Sequence, residues 1–73
     1  MPIEAGNVYI LGKRPRDYMK VFVISVKVLN KDRVVVYKDM DEIGEKHITT
    51  YSVFCNNVNV KKTEDIWNEE KEE

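Results

Sequence analysis

The stretch KVFVISVKVLNKDRVVVYKD, residues 20–39, decides the fold of this chain. Valine, isoleucine, phenylalanine and tyrosine dominate it, and these β-branched and aromatic residues favour a pleated sheet over a helix. The tripeptide Asn30-Lys31-Asp32 interrupts the apolar pattern with residues that tolerate turn and left-handed geometry. The stretch therefore predicts a tight hairpin that joins a long strand, residues 20–30, to a second strand, residues 33–39.

The long strand of this hairpin is apolar at every second position, with Ser25 and Lys27 in between. Alternation of this kind places the apolar side chains on one face of a sheet. Val21 and Val23 make the first half of the strand apolar on the other face as well, which predicts that this end is covered from both sides. The alternating apolar residues are Phe22, Ile24, Val26 and Val28.

The chain on either side of the hairpin contains three more short stretches with strand character. Pro15, in the loop before the hairpin, has no amide donor and steers Arg14 away from helical geometry. A stretch that ends in Asn56-Asn57 breaks the alternation and is typical of one turn of 3₁₀ helix. The predicted strands are NVYIL (7–11), KHITTYS (46–52) and VNVKK (58–62), and the predicted turn is VFCNN (53–57).

The last eleven residues, TEDIWNEEKEE (63–73), form an acidic C-terminal tail. Thr63 is a suitable N-cap, and Glu64 and Asp65 follow it where the helix dipole favours acids. The far end of the tail is also acidic, where the dipole disfavours negative charge. We therefore predict either one or two frayed helical turns or no fixed structure.

Five short strands, a basic first loop, a tight central hairpin and a one-turn helix before the last strand resemble an SH3-like small β-barrel. RVVVYKD (33–39), a polar loop and HITTYSVF (47–54) are similar to small bacterial and phage SH3-like domains of unknown function. The resemblance implies an all-β fold, with a five-stranded barrel domain over residues 1–62 and the tail over residues 63–73. It also implies that Val34 and Val36 help to fill the barrel and that Phe54 plugs one end.

Size and cysteine usage limit the class of protein. A chain of 73 residues, 42% hydrophobic and 34% charged, is expected to form a single small soluble domain. Its one cysteine excludes an intramolecular disulfide framework and predicts a reduced, cytoplasmic setting. MPIEAGN at the start lacks the apolar region of a secretory signal, and the longest apolar run, VFVISV (21–26), is too short to span a bilayer.

Charge is unevenly distributed along the chain, although the net charge is only −1. Residues 1–38 hold eight basic and three acidic side chains, whereas residues 39–73 hold four basic and ten acidic ones. The loop DMDEIGE (39–45) offers carboxylates but lacks the complete oxygen-ligand pattern of an EF-hand. We expect a solvated acidic loop there and no metal site.

The basic stretch GKRPRDY, residues 12–18, is the first candidate binding site. Cations on one surface bind phosphate, and aromatic rings offer a stacking face for bases. The alternative is a solvated loop at the rim of a protein interface, and an isoelectric point near 5.8 favours this alternative. The candidate partner-binding residues of this region are Lys13, Arg14, Arg16, Tyr18 and Lys20.

Trp67 is the remaining candidate partner-binding residue, because a large ring in a polar tail would otherwise stay in water. Tryptophan and tyrosine anchor interfaces because they bury a large area at low entropic cost. Either the tail folds back so that Trp67 seals the barrel, or the ring awaits a partner. We favour the first alternative.

Catalysis is not expected. His47 and Cys55 would suggest a thiolate activated by a base, but Cys55 directly follows Phe54 and is expected to be a small, buried apolar residue. One cysteine and one histidine also cannot build a zinc site alone. The chain has no phosphate-cradling glycine loop and no catalytic triad, and we expect no cofactor.

Two functions are therefore predicted. The first is a non-catalytic protein-interaction module that uses sheet edges and loops, of the kind expected in a phage or mobile-element accessory protein that acts on a host protein. The second is a nucleic-acid-associated small barrel that uses the basic loop, residues 12–20. Neither requires a membrane, and the oligomeric state is left open.

Overall fold

The computed structural model describes residues 1–71 and the side chains of residues 1–70, so the last two residues of the predicted tail lie outside it. None of the described helices is long and apolar enough to cross a membrane. A short 3₁₀ turn, Pro15–Asp17, precedes the second strand. The strands are β1 (Val8–Leu11), β2 (Met19–Leu29), β3 (Asp32–Asp39) and β4 (Lys46–Thr50), and the helices are α1 (Tyr51–Asn57) and α2 (Val60–Lys71).

The four strands form one antiparallel sheet in chain order, β1-β2-β3-β4. The predicted central hairpin is confirmed: Leu29 pairs with Asp32, and Asn30 and Lys31 between them have φ values of +50° and +70°. Two successive residues with positive φ are the signature of a tight turn whose twist matches that of the strands. Local turn chemistry therefore sets the position of the hairpin.

A β-bulge in β2 changes which side chains face the core. Val23 lies opposite Tyr37, but the next pair is Ser25 with Val36, so Ile24 is an extra residue. Before the bulge, the odd-numbered residues Val21 and Val23 face the core. After the bulge, the even-numbered Val26 faces it instead. The predicted continuous face of Phe22, Ile24, Val26 and Val28 is therefore wrong, because the bulge moves its first two members to the other side of the sheet.

One face of the sheet, called the inner face, carries the core. Phe54 of α1 packs edge-on against Tyr9 and Tyr37, with ring centroids 5.8 and 5.4 Å apart. The N-terminal segment closes the same face, because Tyr51 Oη accepts a hydrogen bond of 2.9 Å from the Ile3 amide. The predicted burial of Phe54 is thus confirmed. The buried core residues are Ile3, Tyr9, Val21, Val23, Val35 and Phe54.

The predicted all-β, five-stranded barrel is wrong, because the sheet is open and two helices follow it. The expected fifth strand over residues 58–62 is reduced to one isolated bridge, between Leu11 and Val58. Asn59 then starts α2, since its Oδ1 accepts a hydrogen bond of 3.1 Å from the Lys62 amide. The fold is α+β. Val36 is buried but outside the core cluster, and Val34 is half-buried, so neither fills a barrel.

The boundary between the predicted fourth strand and the predicted 3₁₀ turn is also different in the structure. Thr50 ends β4 and caps α1, because its side-chain oxygen accepts a hydrogen bond of 3.3 Å from the Val53 amide. The expected 3₁₀ turn is therefore a seven-residue α-helix that begins at Tyr51.

Helix α2 covers the free edge of β1, which is the edge that does not pair with β2. The Ile10 amide donates to Thr63 Oγ1 at 3.0 Å, and the Trp67 indole nitrogen donates to the Val8 carbonyl at 2.7 Å. The backbone of Asn59 adds a hydrogen bond of 2.8 Å to the Ile10 carbonyl. Thr63 is thus not an N-cap as predicted but a fully buried residue within the helix. Two side chains of α2 and the backbone before it, rather than a fifth strand, satisfy this sheet edge.

Candidate functional site

The structure does not bring the basic candidates onto one surface. Lys13, Arg14 and Arg16 are all exposed near the 3₁₀ turn. Arg14 is already paired, because its Nε lies 2.9 Å from Asp17 Oδ2. This pair lowers the net positive charge that the loop presents to a phosphate group.

Lys13 and Arg14 line one side of an open groove of about 480 Å³, called the loop groove. Its apolar lining includes Met19 and Val53, both partly exposed, and Tyr37. The loop groove can accept an apolar side chain beside two cations and one carboxylate. The predicted role of the basic loop as the rim of an interface stays a prediction.

Tyr18 and Lys20 point to other parts of the molecule. Tyr18 lines a small depression together with Ile66 of α2, and Lys62 Nζ lies 6.0 Å from the centre of its ring. Lys20 is paired with Ile10 on the face of the sheet opposite the core. The basic residues and Tyr18 therefore do not form the single stacking platform that the nucleic-acid hypothesis requires.

Trp67 folds back onto the sheet, as we favoured, although there is no barrel to seal. Its ring is half-buried, with a centroid 5.5 Å from that of Tyr9 at an angle of 70°. Together with the bond to the Val8 carbonyl, this packing holds α2 against β1. The ring thus has a structural partner within the chain.

The face of the sheet away from the core, called the outer face, is unusually apolar. Residues directly opposite each other in an antiparallel pair share a face, so the strand registers define this surface. Phe22 and Ile24 are half-buried there, Ile48 is exposed, and Val36 is buried among its neighbours. The apolar residues of the outer face are Val8, Ile10, Phe22, Ile24, Val34, Val36 and Ile48.

The centre of the outer face has no covering element within the described chain. Helix α1 lies on the inner face, where Phe54 belongs to the core cluster. Helix α2 lies along β1 and covers only the end of the outer face near Ile10. Antiparallel sheets usually present a polar face to water when one face is uncovered. The outer face departs from that pattern.

Lysines are the charged residues on the body of the outer face. Lys38 lies opposite both Phe22 and Lys46, and its Nζ is 5.7 Å from the Phe22 ring centre. The one carboxylate on the strands of this face is Asp32, at the hairpin end. Among the described side chains, the Arg14–Asp17 pair is the one ion pair, so these lysines have no carboxylate within 4.0 Å. They are Lys20, Lys27, Lys38 and Lys46.

The loop between β3 and β4 extends the apolar part of this surface. Ile43 is fully exposed and lines an open depression of about 470 Å³ with Phe22 and Ile24. Lys38, Lys46, Glu42 and Glu45 surround this depression. An exposed apolar cluster with a polar rim is typical of a contact surface for another protein.

The remaining candidates have structural partners. Asp39 is buried at the end of β3, where its Oδ1 accepts a hydrogen bond of 2.8 Å from the Asp41 amide. The His47 ring stacks on Tyr37 at 5.4 Å, and Cys55 is half-buried against the core. Within the described part of the chain, no group of three or more potential ligands is placed to hold a metal ion.

Sequence reasoning missed the outer face as a candidate site. The signal is present in the sequence, because the first half of β2 is apolar on both faces, but that pattern predicts a strand end covered from both sides within the domain. The structure covers only one of those faces. No protein-family model, curated protein or solved structure matches this chain.

Proposed function

We propose that this chain is a non-catalytic protein-interaction module whose outer face binds an acidic, partly apolar segment of another protein. The observation that carries the proposal is a sheet with apolar side chains on both faces, of which the outer face is covered by a described helix only at its Ile10 end. The candidate interface is therefore the outer face rather than the basic loop.

Burial of the outer face supplies the affinity. Each Å² of apolar surface removed from water contributes about 25 cal/mol, and Ile43 and Ile48 are the most exposed apolar side chains of this region. Phe22 adds a ring that is only half covered. A partner that covers these side chains removes the exposed cluster from water.

The lysines define the chemistry of the partner. Lys38 and Lys46 lie next to the apolar depression, as do Glu42 and Glu45. Among the described side chains, no carboxylate lies within 4.0 Å of either lysine, so carboxylates of a partner can reach them at the rim. Complementary charge of this kind increases the association rate and selects among partners, and salt weakens it. The second candidate, nucleic acid, would use the same lysines, and the following test separates the two.

The test is a quantitative capture experiment from nuclease-treated and untreated cell lysate. The first variant is Lys38→Glu/Lys46→Glu. These residues are directly opposite each other, so the change exchanges one like-charge pair for another. The control variant, Lys13→Glu/Arg16→Glu, makes the same charge change on the basic loop.

We expect nuclease treatment to leave the captured proteins in place, the lysine-pair variant to lose them and the loop variant to retain them. The captured proteins should carry acidic segments and should dissociate as salt is raised from about 50 mM to about 500 mM. Complete loss on nuclease treatment would favour nucleic acid. Equal capture by the wild type and the lysine-pair variant would refute the proposed face.

A further inference from the structure

The two edges of the sheet are treated differently. The edge of β1 is covered by α2 and Asn59, through hydrogen bonds that involve Val8 and Ile10. The edge of β4, residues 46–50, pairs with β3 on one side and with no described element on the other. Nor does β4 contain a proline or a bulge, two of the features that block pairing at exposed edges.

We propose that two copies of this chain associate through antiparallel pairing of β4 with β4, with the two-fold axis at Ile48. Such pairing joins the two four-stranded sheets into one sheet of eight strands. It is an isologous contact, because the same edge of each copy meets itself. This inference does not rest on the proposed partner of the outer face.

The length of β4 selects the register. Ile48 is the middle residue of this five-residue strand, so a two-fold axis there pairs all five residues with their counterparts. An axis at His47 or at Thr49 would leave two of the five residues opposite the loop or α1. Full pairing of the exposed amide and carbonyl groups therefore occurs in one register.

The side chains are compatible with that register. Ile48, which is 67% exposed, meets Ile48 of the second copy, so each covers part of the other's apolar surface. Lys46 lies opposite Thr50 of the second copy, and His47 lies opposite Thr49, so no charge faces a like charge. A strand pairing with its own copy avoids repulsion only when its charges lie away from the axis.

The strand is thus complementary to itself. Its one formally charged side chain, Lys46, faces the neutral Thr50 of the second copy, and its most exposed apolar side chain, Ile48, faces its own counterpart. This self-complementarity points to a second copy as the occupant of the edge.

Sedimentation velocity of the purified chain, from about 10 to about 500 μM, tests the inference. A five-residue edge contact is smaller than a standard interface of about 1,600 Å², so we expect a dimer that dissociates on dilution in the micromolar range. Ile48→Glu places two carboxylates against each other at the axis and should leave only monomer. Val28→Glu is the control, because Val28 is 66% exposed on the hairpin and lies away from β4.

The orientation is tested separately. Ile48→Cys in a Cys55→Ala background should form a disulfide-linked dimer under oxidation, whereas Val28→Cys in the same background should not. A wild type that stays monomeric at about 500 μM overturns the inference, and so does a dimer that Ile48→Glu leaves intact. Either result leaves the capture experiment on the outer face unaffected, since that experiment uses different substitutions and a different readout.

Discussion

Replacing Trp67 by alanine tests whether α2 is part of the folded domain. Trp67 joins α2 to the sheet in two ways: its indole nitrogen donates to the Val8 carbonyl at 2.7 Å, and its ring packs against Tyr9 at 5.5 Å. Both contacts link residues more than fifty positions apart in the chain, so their loss affects the tertiary structure rather than the helix alone.

The expected cost follows from the burial of the ring. Truncation of a fully buried tryptophan costs about 3–5 kcal/mol. Trp67 is half-buried, so the expected loss is about 2–3 kcal/mol. Trp67→Phe retains a ring against Tyr9 but removes the N–H donor, and a hydrogen bond of this kind contributes about 1 kcal/mol.

Thermal unfolding followed by far-ultraviolet circular dichroism measures these changes. In a domain of this size, 1 kcal/mol shifts the midpoint by roughly 4–8 °C. Trp67→Ala should therefore lower Tm by roughly 10–20 °C and Trp67→Phe by roughly 4–8 °C. Ile43→Ala is the matched control, because Ile43 is fully exposed and its truncation should leave Tm nearly unchanged.

An unchanged Tm for both Trp67 variants would refute this account of α2. The helix would then contribute no stability through its tryptophan, and the ring would be free to meet a partner. If Trp67→Ala lowers Tm and Trp67→Phe does not, the ring stabilises the fold by packing, and the hydrogen bond to the Val8 carbonyl does not stabilise it.

Three further substitutions test single contacts. Thr63→Val leaves the buried Ile10 amide without its acceptor, so it should lower the free energy of unfolding by about 1–3 kcal/mol and speed hydrogen exchange at that amide. Thr63→Ser keeps the hydroxyl and should keep the amide protected. Gly12→Ala should lower the free energy of unfolding, measured by chemical denaturation, by at least about 2 kcal/mol, because φ is +107° and a Cβ would clash with the Asp17 carbonyl oxygen. The control Gly44→Ala has a φ of +95° but open space around it, and should cost only about 1 kcal/mol. Equal costs for the two variants would contradict the clash. Asn59→Ala should cost about 1–2 kcal/mol, because it removes both the cap of α2 and the bond from Asn59 Nδ2 to the Gly12 carbonyl. Asn59→Asp should recover the part that the cap contributes, and a thermal midpoint that does not distinguish the two variants would exclude the cap.

The hairpin was predictable because its signal is local. Asn30 and Lys31 adopt the positive φ values that a tight turn requires, and the β-branched residues on either side extend the strands. A few neighbouring residues carry that information. The burial of Phe54 was predicted only by the resemblance to small SH3-like domains, and it holds although the barrel does not.

Local signals of this kind could not decide whether the chain forms a closed barrel. VNVKK (58–62) alternates like a strand, yet Asn59 caps a helix there and only Val58 pairs with β1. The decision depends on Thr63 and Trp67, whose partners Ile10 and Val8 are 53 and 59 positions earlier in the chain. A pattern read over five residues does not contain those contacts.

The fold divides the residues of the basic candidate site for a related reason. The basic loop was conspicuous as a cluster in the sequence, but the fold sends Tyr18 toward α2 and Lys20 to the outer face. The lysines that the structure does bring to one face are far apart in the chain, at residues 20, 27, 38 and 46. Only strand pairing places them together.

The sequence by itself determined that a long β-hairpin lies at the centre of this protein, because turn residues and side-chain alternation act over a few positions. The tertiary structure alone decided which side chains of β2 face outward, since the bulge at Ile24 is a property of how β2 pairs with β3. It also decided that a helix covers the free edge of β1, while the edge of β4 away from β3 has no partner among the described residues. Those outcomes depend on hydrogen bonds and packing between residues distant in the chain, and from them follow both the candidate outer face and the proposed dimer.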